Sequence, residues 1–199
     1  MPGDFLRRQP QLSLKVFHAF RDSRPEEEKW ELIDGVPMMM PPPTLVHQRI
    51  GRNLEVLLNE RLQRVRPEWQ AEHEIGLLVS GDEKYNPEPD VTVIDAEVRL
   101  GQLYAERFYL VAEVLSESDQ PEVIAAKLAY YKGHAPNRAV LLVRQDRLGV
   151  TVHTRLDASH WSGRELTAAD DVIELPEIGR IGTLGQLYRH TPLDPAKAR

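Results

Sequence analysis

The chain has 199 residues, 41% hydrophobic and 28% charged, which suits one globular domain with a core large enough to need no covalent staple. It contains no cysteine, which excludes disulfides, thiolate catalysis, zinc–thiolate sites and iron–sulfur clusters. A net charge of −6 argues against a protein that coats nucleic acid by bulk electrostatics, but leaves room for an enzyme that meets it through one local patch. In chain order, residues 1–11 read as an N-terminal tail: Arg7 and Arg8 are not followed by the apolar core of a signal peptide. Residues 12–190 read as one domain and 191–199 as a C-terminal tail. No apolar run approaches the length of a membrane span, so a cytoplasmic protein without membrane contact is expected.

Leu14 to Phe20 has helical periodicity, and Trp30 to Met40 reads as a hairpin around the two-residue turn Asp34-Gly35. Pro41–Pro43 ends its second strand. A long helix follows, with Thr44 as N-cap, an apolar stripe of Ile50, Leu54, Leu57, Leu58, Leu62 and Val65, and Pro67 to close it. Trp69 to Val79 alternates as a strand, and Ser80 to Pro89 is a polar loop. Asp90–Asp95 is a short strand. Phe108 to Leu115 is nearly all apolar, as expected of a central strand. A helix covers Pro121 to Lys132, then Ala139–Val143 and Val150–Thr154 form strands joined by a turn near Asp146–Gly149. Short antiparallel strands and a last helix at Thr183–Tyr188 complete the chain. A helix between two apolar strands implies one crossover unit in a mixed sheet, hence an α/β fold with helices on both faces and the hairpin alongside.

Three charges stand where apolar residues are expected. Glu113 shares a strand face with Tyr109, Val111 and Leu115, and a carboxylate in a buried strand must be paired, neutral or metal-bound. Asp90 opens an apolar strand after Pro87-Glu88-Pro89. If the two strands pair antiparallel, both carboxylates come within reach of one hard cation, magnesium or manganese. At 100° per residue, Lys127 falls inside the apolar stripe of its helix, among Val123, Tyr131, Ile124 and Leu128. Each has an ordinary explanation: an ion pair for Glu113, turn chemistry for Asp90, snorkelling for Lys127. Glu31, on a strand face with Ile33, and His47, at the start of the long helix, are further candidates.

Two carboxylates holding a divalent ion, with one lysine, make a minimal phosphodiesterase site in which no nucleophilic side chain is needed. No phosphate-binding loop, dinucleotide fingerprint, zinc-protease motif or nucleophile elbow is present. Glu72-His73-Glu74 has no zinc-ligand partner at helical spacing.

Pro89-Asp90 followed by Glu113 on a hydrophobic strand resembles the PD-(D/E)xK nuclease core, with Leu115 where the lysine usually stands and Lys127 replacing it from the next helix. Glu31-Leu-Ile-Asp-Gly35, Met40-Pro-Pro-Pro-Thr44, His47-Gln48, Pro89-Asp90, Glu113-Val-Leu-Ser116, Lys127-Leu-Ala-Tyr-Tyr131 and Leu175-Pro-Glu-Ile178 together resemble the Uma-two family of restriction endonucleases in that superfamily, over about Leu12 to Tyr188. The resemblance implies a restriction-endonuclease-like mixed central sheet flanked by helices, with Asp90 and Glu113 as ligands of Mg2+ or Mn2+ and the Val114 carbonyl nearby. It implies Lys127 as catalytic lysine, Glu31 and His47 close to the site, DNA as substrate and a homodimer. The chain departs from the family pattern at Glu117-Ser118-Asp119, at Val123 in place of an acidic residue, and at His134-Ala-Pro-Asn-Arg138. These departures keep open a non-catalytic, nuclease-like binding or regulatory domain. A third reading makes Asp90, Glu113 and Lys127 a structural triad, a less natural use of three charges because desolvation offsets most of the attraction between buried ions. The arginines of the long helix, Arg49, Arg52, Arg61, Arg64 and Arg66, form either a DNA track or a solvated face.

Overall fold

The computed structural model describes residues 4–197. Helices α1 (Asp4–Arg8) and α2 (Leu14–Asp22) lead into the hairpin β1 (Lys29–Ile33) and β2 (Val36–Met40). Asp34 and Gly35 take φ of 49° and 80°, the pair of positive values that a two-residue hairpin turn requires. The long helix α3 (Leu45–Val65) starts at Thr44, whose hydroxyl accepts the His47 N–H at 3.1 Å. Then come β3 (Trp69–His73), β4 (Gly76–Leu77), β5 (Val91–Asp95), β6 (Tyr104–Ala105), β7 (Leu110–Leu115) and α4 (Pro121–Gly133). The chain closes with β8 (Ala139–Arg144), β9 (Val150–Arg155), β10 (Trp161–Leu166), β11 (Val172–Leu175), β12 (Gly179–Thr183), α5 (Leu184–Leu187) and a single turn at Pro195–Lys197. Among the described residues, no helix is long and apolar enough to cross a membrane.

Six strands form the central sheet in the order β10-β9-β8-β7-β5-β3. β7 and β8 pair in parallel, and α4 is the crossover between them; the other neighbours pair antiparallel. This is the expected mixed α/β sheet flanked by helices, with an N-terminal antiparallel hairpin. On one face α3 buries Ile50, Leu54, Leu58 and Leu62 against Ala71, Val93, Ala112 and Leu141 of the sheet, while β11, β12 and α5 add Ile173, Ile181 and Leu187. Each fully buried leucine or isoleucine contributes about 1.5–3 kcal/mol of apolar transfer. On the other face α4 lies over β7 and β8, packing Tyr131 with Phe108, Val111 and Val140.

One expectation needs correction. The strand expected over Trp69 to Val79 is broken: β3 stops at His73, Glu74 takes a φ of 54°, and β4 pairs instead with β6 in a separate parallel ladder. A Cβ on Gly76 would stand 2.9 Å from the Tyr104 ring, so only glycine permits that approach. Residues within both expected tail ranges are buried. Leu6 of α1 is buried with Ile33, Val36 and Val123, and the Phe5 N–H donates to the Glu122 carboxylate at 3.0 Å. Near the other end, the buried Asp194 accepts the N–H groups of His190 at 2.7 Å and Ala196 at 3.0 Å. The outermost parts of the expected tails, 1–3 and 198–199, lie outside the described residues.

Candidate active site

The pairing of β5 with β7 sets Val91 opposite Ala112, and the same register carried one residue further sets Asp90 opposite Glu113. Directly opposed side chains of an antiparallel pair have Cβ atoms about 5 Å apart, so the two carboxylates open into the same space. Asp90 is anchored by the Val114 N–H, which donates to its Oδ2 at 2.6 Å. His47, on the first turn of α3, brings Nε2 to 3.4 Å from the same oxygen. Burial pushes the Asp90 carboxyl up, but the His47 and Val114 contacts outweigh it and leave the group below its usual range. For His47 the balance is the mirror image: burial opposes the imidazolium, while Asp90 and the Val114 carbonyl favour it, with a net rise.

α4 delivers the third charge. Val123, Lys127 and Tyr131, four residues apart, form its buried edge, as the helical spacing predicts. Lys127 is only 5% exposed. Its Nζ lies 2.8 Å from Glu113 Oε1 and 3.0 Å from Glu31 Oε2. Glu31, 1% exposed on β1, also accepts the Glu88 N–H at 3.1 Å. Burial alone would favour a neutral amine, but the two carboxylates more than reverse this and hold the Lys127 ammonium above its usual range. Glu113 is pushed up to about 7, first by burial and then by Asp90 and Glu31, with Lys127 pulling the other way.

These groups line a cavity of about 490 Å³ between the hairpin, the starts of α3 and α4, and the open ends of β5 and β7. The structure thus brings together all five residues singled out in the sequence: Asp90, Glu113, Lys127, Glu31 and His47. Glu113 and Glu31 hold the Lys127 ammonium and Asp90 adds a third carboxylate to the same cavity, an excess of negative charge suited to a cation. The donors fit a hard divalent ion: among the described residues no hydrogen bond reaches Asp90 Oδ1 or Glu113 Oε2, while their partner oxygens are occupied. Among the described residues, no group of three or more His, Asp or Glu side chains is placed to hold a metal ion, so the candidate donors are the two carboxylates of Asp90 and Glu113.

Two features went unread in the sequence. Tyr131 donates to Glu113 Oε1 at 2.5 Å, and only its place one turn after Lys127 hinted at this. Lys29 bridges Glu88 at 3.1 Å and Glu74 at 3.4 Å at the rim of the cavity, a contact between segments far apart in the chain. The arginine cluster on α3 divides. Arg61 donates to the Ile178 carbonyl and Arg66 pairs with Glu177 and Glu68, so these two tie down the β11–β12 turn and the end of α3. At the departure Glu117-Ser118-Asp119, Asp119 closes a turn by accepting the Ser116 N–H at 2.6 Å.

The model of the Uma2 (Uma-two) family, described as "putative restriction endonuclease", matches residues 14–183. The chain belongs to the Uma2 family. Solved structures similar to this Uma2 chain include one from Anabaena variabilis, described as a "putative nuclease belonging to DUF820". It is 16% identical with a TM-score of 0.67, over 86% of this chain and 96% of that one. That likeness is one of fold. No match is found among curated proteins.

Proposed function

We propose that this Uma2 protein is a divalent-metal-dependent endonuclease that hydrolyses DNA phosphodiester bonds in the cavity between β5, β7 and α4. The observation that carries the reading is the placement of Asp90 and Glu113 on one cavity, each with one oxygen that receives no hydrogen bond among the described residues, beside a buried lysine. Membership of a family described as "putative restriction endonuclease" supports it.

Asp90 and Glu113 are the residues that would hold Mg2+ or Mn2+, with the Val114 carbonyl beside them. When bound, such an ion neutralises charge on the scissile phosphate and lowers the pKa of water. Lys127, flanked by carboxylates at 2.8 and 3.0 Å, serves as a hydrogen-bond donor that stabilises negative charge developing on the phosphate, rather than as a base. Glu31 holds Lys127 from the hairpin side and so positions it. His47 holds Asp90, which turns the unclaimed oxygen toward the cavity. DNA is the partner in this reading, a homodimer is the form that cuts both strands, and the cytoplasm is the setting.

The first experiment is Mn2+ calorimetry on the wild type and on Asp90→Ala, with plasmid cleavage in parallel. Binding by the wild type, loss in a folded Asp90→Ala variant and Mn2+-dependent nicking are the expected results. A folded wild type that binds no Mn2+, together with an Asp90→Ala variant that unfolds, would sink the reading in favour of a structural triad.

A second reading, a nuclease-like domain that binds a partner without cutting, is favoured by the acidic rim: Glu74, Glu88, Glu117, Asp119 and Asp146 line the same cavity that a phosphate backbone would have to enter. Mn2+ binding without cleavage of any DNA form would select it.

A further inference from the structure

Tyr131 is fully buried one turn after Lys127 on α4, with its hydroxyl on Glu113 Oε1 at 2.5 Å. Lys127 Nζ approaches the same oxygen at 2.8 Å. Both donors therefore crowd one oxygen of the carboxylate, and among the described residues Glu113 Oε2 receives none. Both donors thus hold the carboxylate by one oxygen and leave the other open to a further partner. Asp90 is divided in the same way on the neighbouring strand, with the Val114 N–H and His47 both on Oδ2.

The Tyr131 ring is itself fixed. Phe108 meets it edge-on at 6.2 Å between centroids, and the Asn137 amide donates to its backbone carbonyl at 2.9 Å. A buried tyrosine hydroxyl needs some acceptor. Here the acceptor is an oxygen that a lysine already serves, which satisfies the hydroxyl but is not required to satisfy the carboxylate.

We infer that Tyr131 is a positioning residue that, with Lys127, locks the Glu113 carboxylate so that one chosen oxygen is offered to a divalent cation. The inference rests on the metal-site reading above and adds to it a residue which that reading does not need. Partners of this kind behind a metal ligand are typically worth about 10–100-fold in metal affinity.

The test is Mn2+ calorimetry on the wild type, Tyr131→Phe and Leu77→Ala, with melting curves for each. Tyr131→Phe is expected to stay folded and bind Mn2+ about tenfold more weakly or worse. Leu77→Ala removes apolar volume from the same cluster without touching the Tyr131 ring or its hydroxyl, so it is expected to lower the melting temperature and leave Mn2+ affinity unchanged. A folded Tyr131→Phe that binds like the wild type overturns the inference while leaving the metal site standing. A wild type that binds no Mn2+ overturns the metal-site reading, and the inference with it. Should Tyr131→Phe fail to fold, a crystal structure of the wild type with Mn2+ decides. The tyrosine is expected to remain on Oε1 with Mn2+ on Oε2, and Mn2+ on Oε1 with the tyrosine displaced overturns the inference.

Discussion

The two faces of β7 solve burial in opposite ways. Leu110, Ala112 and Val114 look toward α3 and belong to its apolar core. Val111, Glu113 and Leu115 look toward α4, where Glu113 is matched by Lys127 and Tyr131, and Lys127 in turn by Glu31. An apolar face tolerates any well-packed set of similar volume. A charged face tolerates almost no change, because each partner removed leaves an uncompensated charge, yet its net contribution to stability is small once desolvation is counted. One strand therefore separates a face that is apolar throughout its core positions from a face that carries a buried charge among apolar neighbours.

The largest effect should come from the charged face. Lys127→Met leaves Glu31 and Glu113 buried without their cation, and is expected to lose about 3–5 kcal/mol in urea unfolding and all detectable DNA cleavage. A variant as stable as the wild type would show that the charges are far less coupled than their distances imply. Leu54→Ala on the opposite face is expected to cost about 2–5 kcal/mol but to leave Mn2+ affinity unchanged below its melting temperature. A change in affinity would mean that the two faces are not independent. The link from Glu31 to Lys127 can be read by a double-mutant cycle of Glu31→Gln and Lys127→Met, where a coupling of about 1–3 kcal/mol is expected and additivity would refute it.

The smallest effect lies at the far end of α4. The His134 ring stacks on Phe108 at 4.0 Å and accepts its N–H at 3.4 Å. Burial, then Arg155 and Arg107, push its pKa from 6.5 down to about 4. Between those values the unfolded chain binds more protons than the folded one, so stability is full above about 6.5 and falls as pH drops toward 4. The ring is half exposed and screened, so the effect is modest. His134→Gln is expected to narrow the difference in melting temperature between pH 7 and pH 5; an unchanged difference would place the proton uptake elsewhere.

Much of this arrangement is legible without coordinates. Alternation puts Glu113 on one face of its strand, helical spacing puts Lys127 inside an apolar stripe, and Asp34-Gly35 dictates the hairpin that carries Glu31. All three are local patterns, set by backbone geometry over a few residues. Contacts between distant segments are different. Glu31 and Lys127 are 96 residues apart, and nothing in either neighbourhood names the other. The bend at Glu74 depends on the Tyr104 ring beside Gly76, and the order of α1 depends on Glu122. Tyr131 read as core because its ring is core; its hydroxyl acquires a role only where Glu113 stands against it. Periodicity tells a side chain which way to face, but the identity of what it faces is set by how sheet, helix and hairpin pack, since that packing brings together groups whose separation along the chain carries no signal.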